Sequence, residues 1–348
     1  MAPIFGAIFM QLNLNPKKTY YVAYSGGIDS LALCLLLQQQ GYSFKAIHIN
    51  HKTEKYKEFD DACAKSIRSL YEHLAIEVEI IEAPVKNKIV KSHGLETAMR
   101  QVRYDALIRH VYLDPMGVIL TGHHGDDQIE TILIQMFRGT GVSGLTGIDA
   151  SSFVTTTDGS LTVEMQRPLL KFRKNELIQV VESHNAVCHV INDPSNVDMD
   201  VTRSRVRHNV IPAIRDAFGE AQMHSAINRM VANMQDAESL LDTSGADQFD
   251  DLKGWVDSKP TCTTVWIGHQ FVTLDNLRKK NLIRYMAKLA KMRLTSGHID
   301  EILKQSKLNK EGVPQNCCVK ISNIGEFIID TRKKTRHHNY FICLRHIH

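Results

Sequence analysis

A buried strand, a short glycine loop and a helix follow one another directly near the start of the chain, and this order restricts the fold more than any other feature. Residues 21–24 are aromatic, β-branched or apolar, and residues 31–37 form a continuous apolar helical segment. The loop between them, residues 25–30, reads SGGIDS. Such a loop presents unpaired backbone N–H groups and the positive end of the helix dipole, and its glycines leave no Cβ to block a phosphate. The sequence therefore predicts an anion-binding loop carried by a strand and a helix.

Polar side chains in this loop narrow the choice of anion. The loop has neither the lysine of the common phosphate loop nor the three-glycine spacing of dinucleotide-binding folds. It has the Ser25 and Ser30 hydroxyls on either side of Gly26 and Gly27, and it has Asp29. A carboxylate beside a phosphate repels it unless a cation lies between them, so Asp29 is a candidate ligand of Mg²⁺. The alternative is a Gly-Gly turn in which Asp29 and Ser30 merely cap the helix.

The loop pattern S-G-G-x-D-S resembles the pyrophosphate-binding loop of the N-type ATP pyrophosphatases, which cleave ATP to AMP and pyrophosphate. The resemblance implies that residues 25–30, with Ile28 at the variable position, bind the pyrophosphate part of ATP. It also implies that Asp29 holds Mg²⁺. ATP and Mg²⁺ are accordingly the expected cofactors.

Predicted strands and helices alternate along the first part of the chain. Further strands are expected at 44–49, 76–81, 117–121 and 187–191, and helices at 58–74 and 95–113. This order predicts an α/β fold with a doubly wound parallel sheet, in which ligands bind beyond the carboxyl ends of the strands. After it, helical periodicity at 221–241, 275–292 and 296–307 and strand-like alternation at 316–330 and 339–347 predict a second, smaller, mostly helical α+β domain. We expect a catalytic domain over residues 1–215 and a substrate-binding domain over 216–348.

Composition excludes several classes of protein. The 348 residues carry a formal net charge of only +4, so charge alone gives little support for a nucleic-acid partner. The seven cysteines are scattered and form no C-x-x-C pair, which argues against a disulfide framework or a zinc ribbon and fits a reducing cytoplasm. No stretch of about eighteen apolar residues exists, so no membrane span is expected. The sequence leaves the oligomeric state open, with a homodimer as the candidate assembly.

A second polar stretch, TGHHGDDQIET at 121–131, follows a predicted strand and opens a helix. Asp127 and Glu130 lie three apart and share one helix face, where like charges repel unless a metal ion or an ammonium group binds them. The alternative is ordinary N-capping with an acidic first turn. Capping by Asp126 or Asp127 explains one carboxylate, but it does not explain His123, His124, Asp126, Asp127 and Glu130 together.

Basic residues form three groups. Arg100 and Arg103 lie one helical turn apart, which suits phosphates, although a solvated face with Glu96 would explain part of the pattern. Arg167, Lys171, Arg173 and Lys174 precede or begin a predicted helix. A solvated helix face is the usual role of a third group, but the near absence of acidic residues between 203 and 215 favours a surface that contacts a phosphate backbone: Arg203, Arg205, Arg207 and Arg215.

Eight blocks taken in order resemble the successive motifs of the tRNA(Ile)-lysidine synthetases. They are SGGIDS, AIHINH, LETAMRQVRYDAL, TGHHGDDQIET, RGTGVSGLTGI, RPLL, NDPSN and the segment 203–212, and they extend over roughly residues 19–215. The family usually has asparagine after the first arginine of the last block, where this chain has Ser204, whereas Arg203, Arg207 and Pro212 match.

The resemblance implies an RNA-modifying ligase. ATP would adenylate the C2 oxygen of the wobble cytidine in an isoleucine tRNA with a CAU anticodon, and the ε-amine of free L-lysine would then displace AMP to give lysidine. The expected catalytic residues are Asp29, His123, Asp127 and Glu130. Asp127 and Glu130 would hold the lysine ammonium, and His123 or one of the carboxylates would accept a proton, because the attacking amine must be uncharged.

The remaining expected contacts follow the same resemblance. Beyond the loop, the nucleotide site would include His48, Asn50, Arg100, Arg103 and Gly122. The tRNA would contact Arg167, Lys171, Arg173, Arg203, Arg205 and Arg207.

Three other functions stay open at this point. A tRNA 2-thiolation enzyme with the same loop would be expected to carry catalytic cysteines, often as C-x-x-C. A small-molecule amide-forming ATP pyrophosphatase should lack the arginine group and the second domain. A non-catalytic RNA-binding module would not need Asp29 or the acidic helix.

Overall fold

The computed structural model describes residues 10–52, 57–85, 90, 94–191, 202–252, 254–259, 262–290, 292, 294–305, 317–321, 325–330 and 341–347. The block NDPSN lies outside these residues. The chain divides into two compact units, one of residues 1–138 and 147–228 and the other of residues 139–146 and 229–348. The predicted division after residue 215 thus falls within the first unit. Among the described residues, no helix is long and apolar enough to cross a bilayer.

The first unit is built on a six-stranded, mostly parallel sheet. Its strands are β1 Thr19–Ala23, β2 Phe44–Asn50, β3 Val78–Glu82, β4 Gly117–Leu120, β5 Ser151–Thr155 and β6 Thr162–Gln166, in the order β3-β2-β1-β4-β6-β5. β1 pairs in parallel with both β2 and β4, and only the edge strand β5 runs antiparallel to its neighbour. The predicted doubly wound α/β sheet is therefore confirmed.

Helices cover both faces of this sheet. The helices of this unit are α1 Ile28–Gln39, α2 Lys57–Leu74, α3 Leu95–Val111, α4 Gly125–Phe137, α6 Lys174–Ser183, α7 Thr202–Arg205 and α8 Ile211–Phe218. The short α5 Val142–Leu145 belongs to the second unit, and α9 Glu220–Asp251 begins in the first unit and continues into the second. α1 is apolar on all sides, and its residues 31–37 are at most 2% exposed because the helix packs between the sheet and α6. This burial fixes the start of α1, and with it the glycine loop, against a rigid core.

One predicted strand is wrong. Residues 187–191 contain a 3₁₀ turn, Val187–His189, and the chain then bonds to the glycine loop through Ile191 N–H, which donates to Gly26 O at 2.9 Å. Of the apolar residues that suggest a strand, Val187 is 54% exposed, whereas Val190 is half-buried and packs on the core around α1. A short apolar run does not by itself distinguish a strand from a packed loop.

The second unit combines helices with an antiparallel sheet. Its further elements are β7 Trp255–Lys259, β8 Cys262–Gly268, α10 Asn276–Leu289, α11 Ser296–Gln305, β9 Cys317–Ile321, β10 Gly325–Asp330 and β11 Phe341–Ile347, with strand order β7-β8-β11-β10-β9. The smaller α+β region is confirmed. β7 and β8 were not predicted, because in β8 the polar Thr263 and Thr264 are buried together with Val265 and hide the alternation that marks a strand.

Candidate functional site

The glycine loop begins directly after β1 and folds back on itself through its two serines. Ser30 Oγ accepts from Ser25 N–H at 3.2 Å and donates to Gly27 O at 2.9 Å, and the two serine Oγ atoms lie 3.2 Å apart. Gly26 has φ +82°, a left-handed conformation that favours glycine. Ser30 therefore closes the loop and does not cap the helix. The alternative that Asp29 and Ser30 both serve as caps is thus wrong for Ser30.

The start of α1 points its free backbone groups towards this loop. The N-cap is Gly27, which has no side chain to occupy the first-turn N–H groups, and Ile28 anchors the helix start on the core. Unoccupied N–H groups at a helix N-terminus form a site for an anion such as a phosphate. The loop therefore fits the pyrophosphate part of a nucleotide.

Asp29 does not cap the helix either, because its carboxylate faces the side chains of Lys174 and His124, which belong to other elements. Lys174 Nζ lies 2.5 Å from Asp29 Oδ1, and His124 Nε2 lies 3.7 Å from the same oxygen. The Asp29 side chain remains 31% exposed. A single reachable carboxylate beside a phosphate cradle fits Mg²⁺, which is commonly held by one or two carboxylates together with substrate phosphates. Asp29 would hold the ion, and the ion would neutralise charge on the phosphates.

Gly122, at the end of β4, lets the strand end approach the loop closely. A Cβ on Gly122 would lie 3.0 Å from the backbone carbon of Asp29 and 3.1 Å from Ser30 N. The end of β4 and the first turn of α1 can therefore pack this closely only because position 122 lacks a side chain. Gly122 shapes the predicted nucleotide site by close packing.

The end of β2 supplies buried histidines on the other side of the loop. His48 Nδ1 bonds to Tyr24 O at 3.1 Å and His51 Nδ1 lies 3.4 Å from Ala83 O, whereas the Nε2 atom of each ring is buried with no hydrogen-bond partner in the described part of the chain. Burial lowers the pKa of His51 to about 4, and the charge of Arg103 acts in the same direction. Both rings are therefore neutral near pH 7 and can offer a nitrogen to a nucleoside.

Asn50 and Arg100 have contacts that the sequence did not indicate. Asn50 Oδ1 accepts from Lys52 N–H at 2.8 Å, so this side chain closes the turn after β2. The Arg100 guanidinium lies over the Tyr104 ring, 4.9 Å from its centroid, and remains exposed. Stacking fixes the plane of the guanidinium and leaves its edges available to an anion.

His123 and Arg167 lie near one another at the carboxyl end of the sheet. His123 Nδ1 bonds to Thr121 Oγ1 at 2.7 Å. Burial lowers the pKa of His123 to about 4, and the guanidiniums of Arg167, Arg203 and Arg100 lower it further against the charge of Asp127. His123 is therefore neutral at pH 7, and one of its two ring nitrogens carries no proton.

Arg167 mainly holds the β5–β6 hairpin. Its Nη1 donates to Asp149 O at 2.8 Å and to Ser152 Oγ at 3.0 Å, and its Nη2 donates to Met165 Sδ at 3.3 Å. These bonds occupy much of a guanidinium for which we predicted a tRNA contact.

His124, which the sequence places in the polar stretch but not among the expected site residues, organises the start of α4. It is the N-cap residue: its Nδ1 accepts from Asp126 N–H at 3.3 Å, while its own N–H donates to Asp127 Oδ2 at 2.9 Å. Although burial lowers the pKa of His124, the Asp126 carboxylate, 3.3 Å from Nδ1, and the charges of Asp127 and Asp29 raise that pKa above its usual value. The prediction that an aspartate caps α4 is half right, because Asp127 completes a capping box around a histidine.

Asp126 joins α4 to two other helices. Its Oδ2 accepts from Lys174 N–H at 2.8 Å, at the start of α6, and its Oδ1 lies 3.5 Å from Nε2 of the buried His224 in α9. Burial opposes the charge of Asp126, but its bonds to His124 and His224 outweigh that effect and lower its pKa. Asp126 therefore has a structural role within the acidic stretch.

Asp127 and Glu130 lie together, as predicted, and two arginines of the chain itself enclose them. Arg203 donates from Nε to Glu130 Oε2 at 2.6 Å and from Nη2 to Asp127 Oδ1 at 2.8 Å. Arg207 donates to the two oxygens of Glu130 at 2.5 and 3.0 Å, and its Nη2 lies 3.6 Å from Asp127 Oδ1. We call Asp127, Glu130, Arg203 and Arg207 the charge cluster.

The charge cluster changes the interpretation of the acidic pair and of the two arginines. No acidic residue lies between Arg203 and Arg207 in the sequence, and their acidic partners come from α4, more than seventy positions away. They approach α4 from α7 and from the π-helical turn Val206–Val210, a type of segment that is frequent at functional sites. Within the described residues, no group of three or more His, Cys, Asp or Glu side chains could hold a metal ion. The two guanidiniums are cations that the chain itself supplies to the acidic pair.

The three remaining predicted tRNA contacts lie at the surface of the first unit. Lys171 and Arg205 are exposed, and Arg205 bonds only weakly to its neighbour Thr202, at 3.4 Å. Arg173 is half-buried at the N-cap of α6, where its N–H donates to Glu176 Oε2 at 2.7 Å. Lys171 and Arg205 therefore keep charge available for a polyanion.

Comparison with known proteins adds a family and several relatives. Residues 5–214 match the family described as PP-loop domain. A tRNA(Ile)-lysidine synthase from Alkalilimnicola ehrlichii is 33% identical over 232 residues, which are 66% of this chain and 48% of the relative. One from Nitrosomonas europaea is 27% identical over 329 residues, 92% of this chain and 64% of the relative. One from Chlamydia trachomatis is 32% identical over 210 residues, 60% of this chain and 61% of the relative. The chain thus spans about half to two thirds of the length of these curated relatives.

Proposed function

The chain belongs to the PP-loop domain family, and from this membership we propose that it is an ATP-dependent ligase that attaches lysine to the wobble cytidine of an isoleucine tRNA with a CAU anticodon. ATP would adenylate the C2 oxygen of the cytidine, with release of pyrophosphate. The ε-amine of lysine would then attack C2 and displace AMP, which gives lysidine. The names of the curated relatives support this substrate.

One observation carries the proposal: an anion cradle and a buried acidic pair lie side by side at one edge of the sheet. His124 Nε2 is 3.7 Å from Asp29 Oδ1 and 3.5 Å from Asp127 Oδ2, so a single imidazole separates the two places. A reaction that releases pyrophosphate and then uses a cationic nucleophile needs both places within reach of one reacting carbon. A simple ATPase would need only the first.

The first step uses the loop and its surroundings. The N–H groups at the start of α1 and the Ser25 and Ser30 hydroxyls would bind the departing pyrophosphate, as the phosphate-cradle geometry requires. The neutral rings of His48 and His51 would border the nucleoside. Arg100, whose guanidinium remains exposed, would stabilise negative charge that develops on the phosphates.

The second step uses the charge cluster. Asp127 is 11% exposed at its side chain and Glu130 only 2%, so the lysine ammonium would reach Asp127 while Glu130 holds the two guanidiniums in place. The four formal charges cancel. This balance matters because isolated carboxylates would hold the ammonium in its protonated form, whose reference pKa is about 10.4, whereas the nucleophile must be the free amine. The guanidiniums offset that effect, and the neutral His123 is a candidate acceptor for the released proton.

This charge balance gives a testable pH dependence. Arg203→Gln leaves the cluster with one net negative charge, which stabilises the bound ammonium and raises its pKa. We expect the acidic limb of kcat against pH to move about one unit towards alkaline pH, with the lysine KM unchanged or lower. Arg205→Gln is the matched control and should leave the profile unchanged. An unshifted limb in Arg203→Gln would show that the arginine does not tune the amine.

The tRNA would lie against the exposed basic residues of the first unit and the second unit. Lys171 and Arg205 would contact the phosphate backbone, and Arg173 would contribute in part. We propose residues 216–348 as the substrate-binding region that follows the catalytic region.

The proposed reaction is tested by ATP–pyrophosphate exchange with purified protein. Four mixtures are compared, with and without the isoleucine tRNA and with and without lysine, and a tRNA with another anticodon is the control. Exchange is expected only with the isoleucine tRNA, and lysine should convert it into net release of AMP. Exchange that is indifferent to tRNA would exclude the proposed substrate, whereas exchange that depends on a small carboxylic acid would favour an amide-forming enzyme.

A further inference from the structure

Lys174 contacts the predicted Mg²⁺ ligand although the two residues lie far apart in sequence. Its Nζ is 2.5 Å from Asp29 Oδ1, across 145 positions of the chain. The side chains of Lys174 and Asp29 are 37% and 31% exposed, so the pair lies at the open side of the loop. A half-exposed ion pair contributes only about 0 to 1 kcal/mol to folding. Stability alone therefore gives little reason for this contact.

The backbone of Lys174 is fixed, whereas its side chain is 37% exposed. Lys174 N–H donates to Asp126 Oδ2 at 2.8 Å, and Phe172 O accepts from Gly125 N–H at 2.7 Å, so the start of α6 is tied on both sides to the start of α4. From this fixed point the lysine side chain extends to the loop. Its charge can move between neighbouring acceptors without a backbone shift.

Lys174 occupies Oδ1, one of the two carboxylate oxygens through which Asp29 would hold Mg²⁺. Mg²⁺ binds carboxylate oxygens at about 2.1 Å and requires near-ideal geometry, so an ammonium on Oδ1 and the ion exclude each other there. When the ion takes this oxygen, Lys174 loses its partner beside a site for phosphates. Lysine is a common ligand of phosphate as a point charge.

We propose that Lys174 is an exchanging counter-ion: it neutralises Asp29 before nucleotide binds, and it moves to a pyrophosphate oxygen when Mg²⁺ replaces it. This inference deepens the proposed function, because it concerns the same nucleotide site. Lys174, at the start of α6, would then serve as the phosphate-binding lysine that the loop sequence itself lacks. Free protein thereby avoids an unpaired carboxylate at an anion site.

The exchange predicts opposite effects on the two ligands. In Lys174→Gln the ammonium no longer competes for Asp29, so the Kd for Mn²⁺, measured by electron paramagnetic resonance without nucleotide, should fall about two- to fivefold. The Kd for inorganic pyrophosphate in saturating Mg²⁺, measured by calorimetry, should rise about 10- to 100-fold. Lys174→Arg should restore pyrophosphate binding in large part.

Controls separate this exchange from a structural role. Lys65→Gln, which changes an exposed lysine on α2, should change neither Kd, and Asp29→Asn sets the level of Mn²⁺ binding elsewhere. If Lys174→Gln weakens both ligands, or changes neither, the proposal is wrong. Both measurements use the full chain without tRNA or lysine. Opposite shifts in a protein that shows no tRNA-dependent exchange would keep this inference and reject the proposed substrate.

Discussion

Replacing Asp127 by asparagine is expected to raise the KM for lysine by roughly 10- to 100-fold while the KM for ATP changes by less than about twofold. Asp127 is the more exposed carboxylate of the charge cluster, and asparagine keeps its shape but removes the charge that a lysine ammonium would meet. The measurement is AMP release from ATP at varied lysine and then at varied ATP, with the isoleucine tRNA in excess.

The control for Asp127 is a carboxylate outside the site. Asp61→Asn changes an exposed side chain on α2 and should leave both KM values unchanged. Equal damage to the lysine and ATP requirements in Asp127→Asn would remove the assignment of the amino-acid pocket. It would instead indicate that the cluster supports the nucleotide site as a whole.

Replacing Glu130 by glutamine is expected to lower the free energy of unfolding by about 2 to 4 kcal/mol. Glu130 is 2% exposed at its side chain and accepts bonds from both Arg203 and Arg207, so the amide leaves two guanidiniums without their shared counter-ion. The effect is placed below that of a fully buried pair because the arginine side chains are 38% exposed. Denaturant unfolding followed by circular dichroism measures it. The KM for lysine should rise as well, because Arg203 and Asp127 lose their alignment.

A double variant tests the cause of that loss. Adding Arg207→Gln to Glu130→Gln removes one unpaired guanidinium, so part of the lost stability should return. If the two losses simply add, the residues do not act as one cluster. Glu130 would then act through packing alone.

The arginine run at 203–207 suggests a tRNA surface in the sequence, but two of its members pair with carboxylates in the structure. A run of arginines with no acidic residue inside it can still meet acidic partners that the packing of distant segments places beside it. Here α4 supplies the carboxylates to α7 and to the π-helical turn. Of the three arginines at 203, 205 and 207, only Arg205 has no acidic partner among its described contacts.

The sequence by itself determined the fold class, the glycine loop and the positions of the polar groups at the strand ends. These follow from local causes: apolar runs become buried strands and α1, two glycines allow the loop, and parallel strands place their carboxyl ends at one edge. The same reasoning identified Ser25, Ser30, Asp29, Asp127 and Glu130, because residue type and short spacing carry that information. It failed at residues 187–191 and at β7 and β8, where the sequence has no clear periodicity that marks the element.

Only the tertiary structure decided the partners of these groups. Lys174 meets Asp29 across 145 positions, and Arg207 meets Glu130 across 77, and such pairs form only because α6, α7 and the π-helical turn pack beside the sheet edge. Two adjacent histidines show the same limit: His124 caps α4, while His123 faces the arginines. The physical reason is that ion pairs and hydrogen bonds depend on distance in space. A chain specifies this distance through the packing of its whole core and not through any short stretch of sequence.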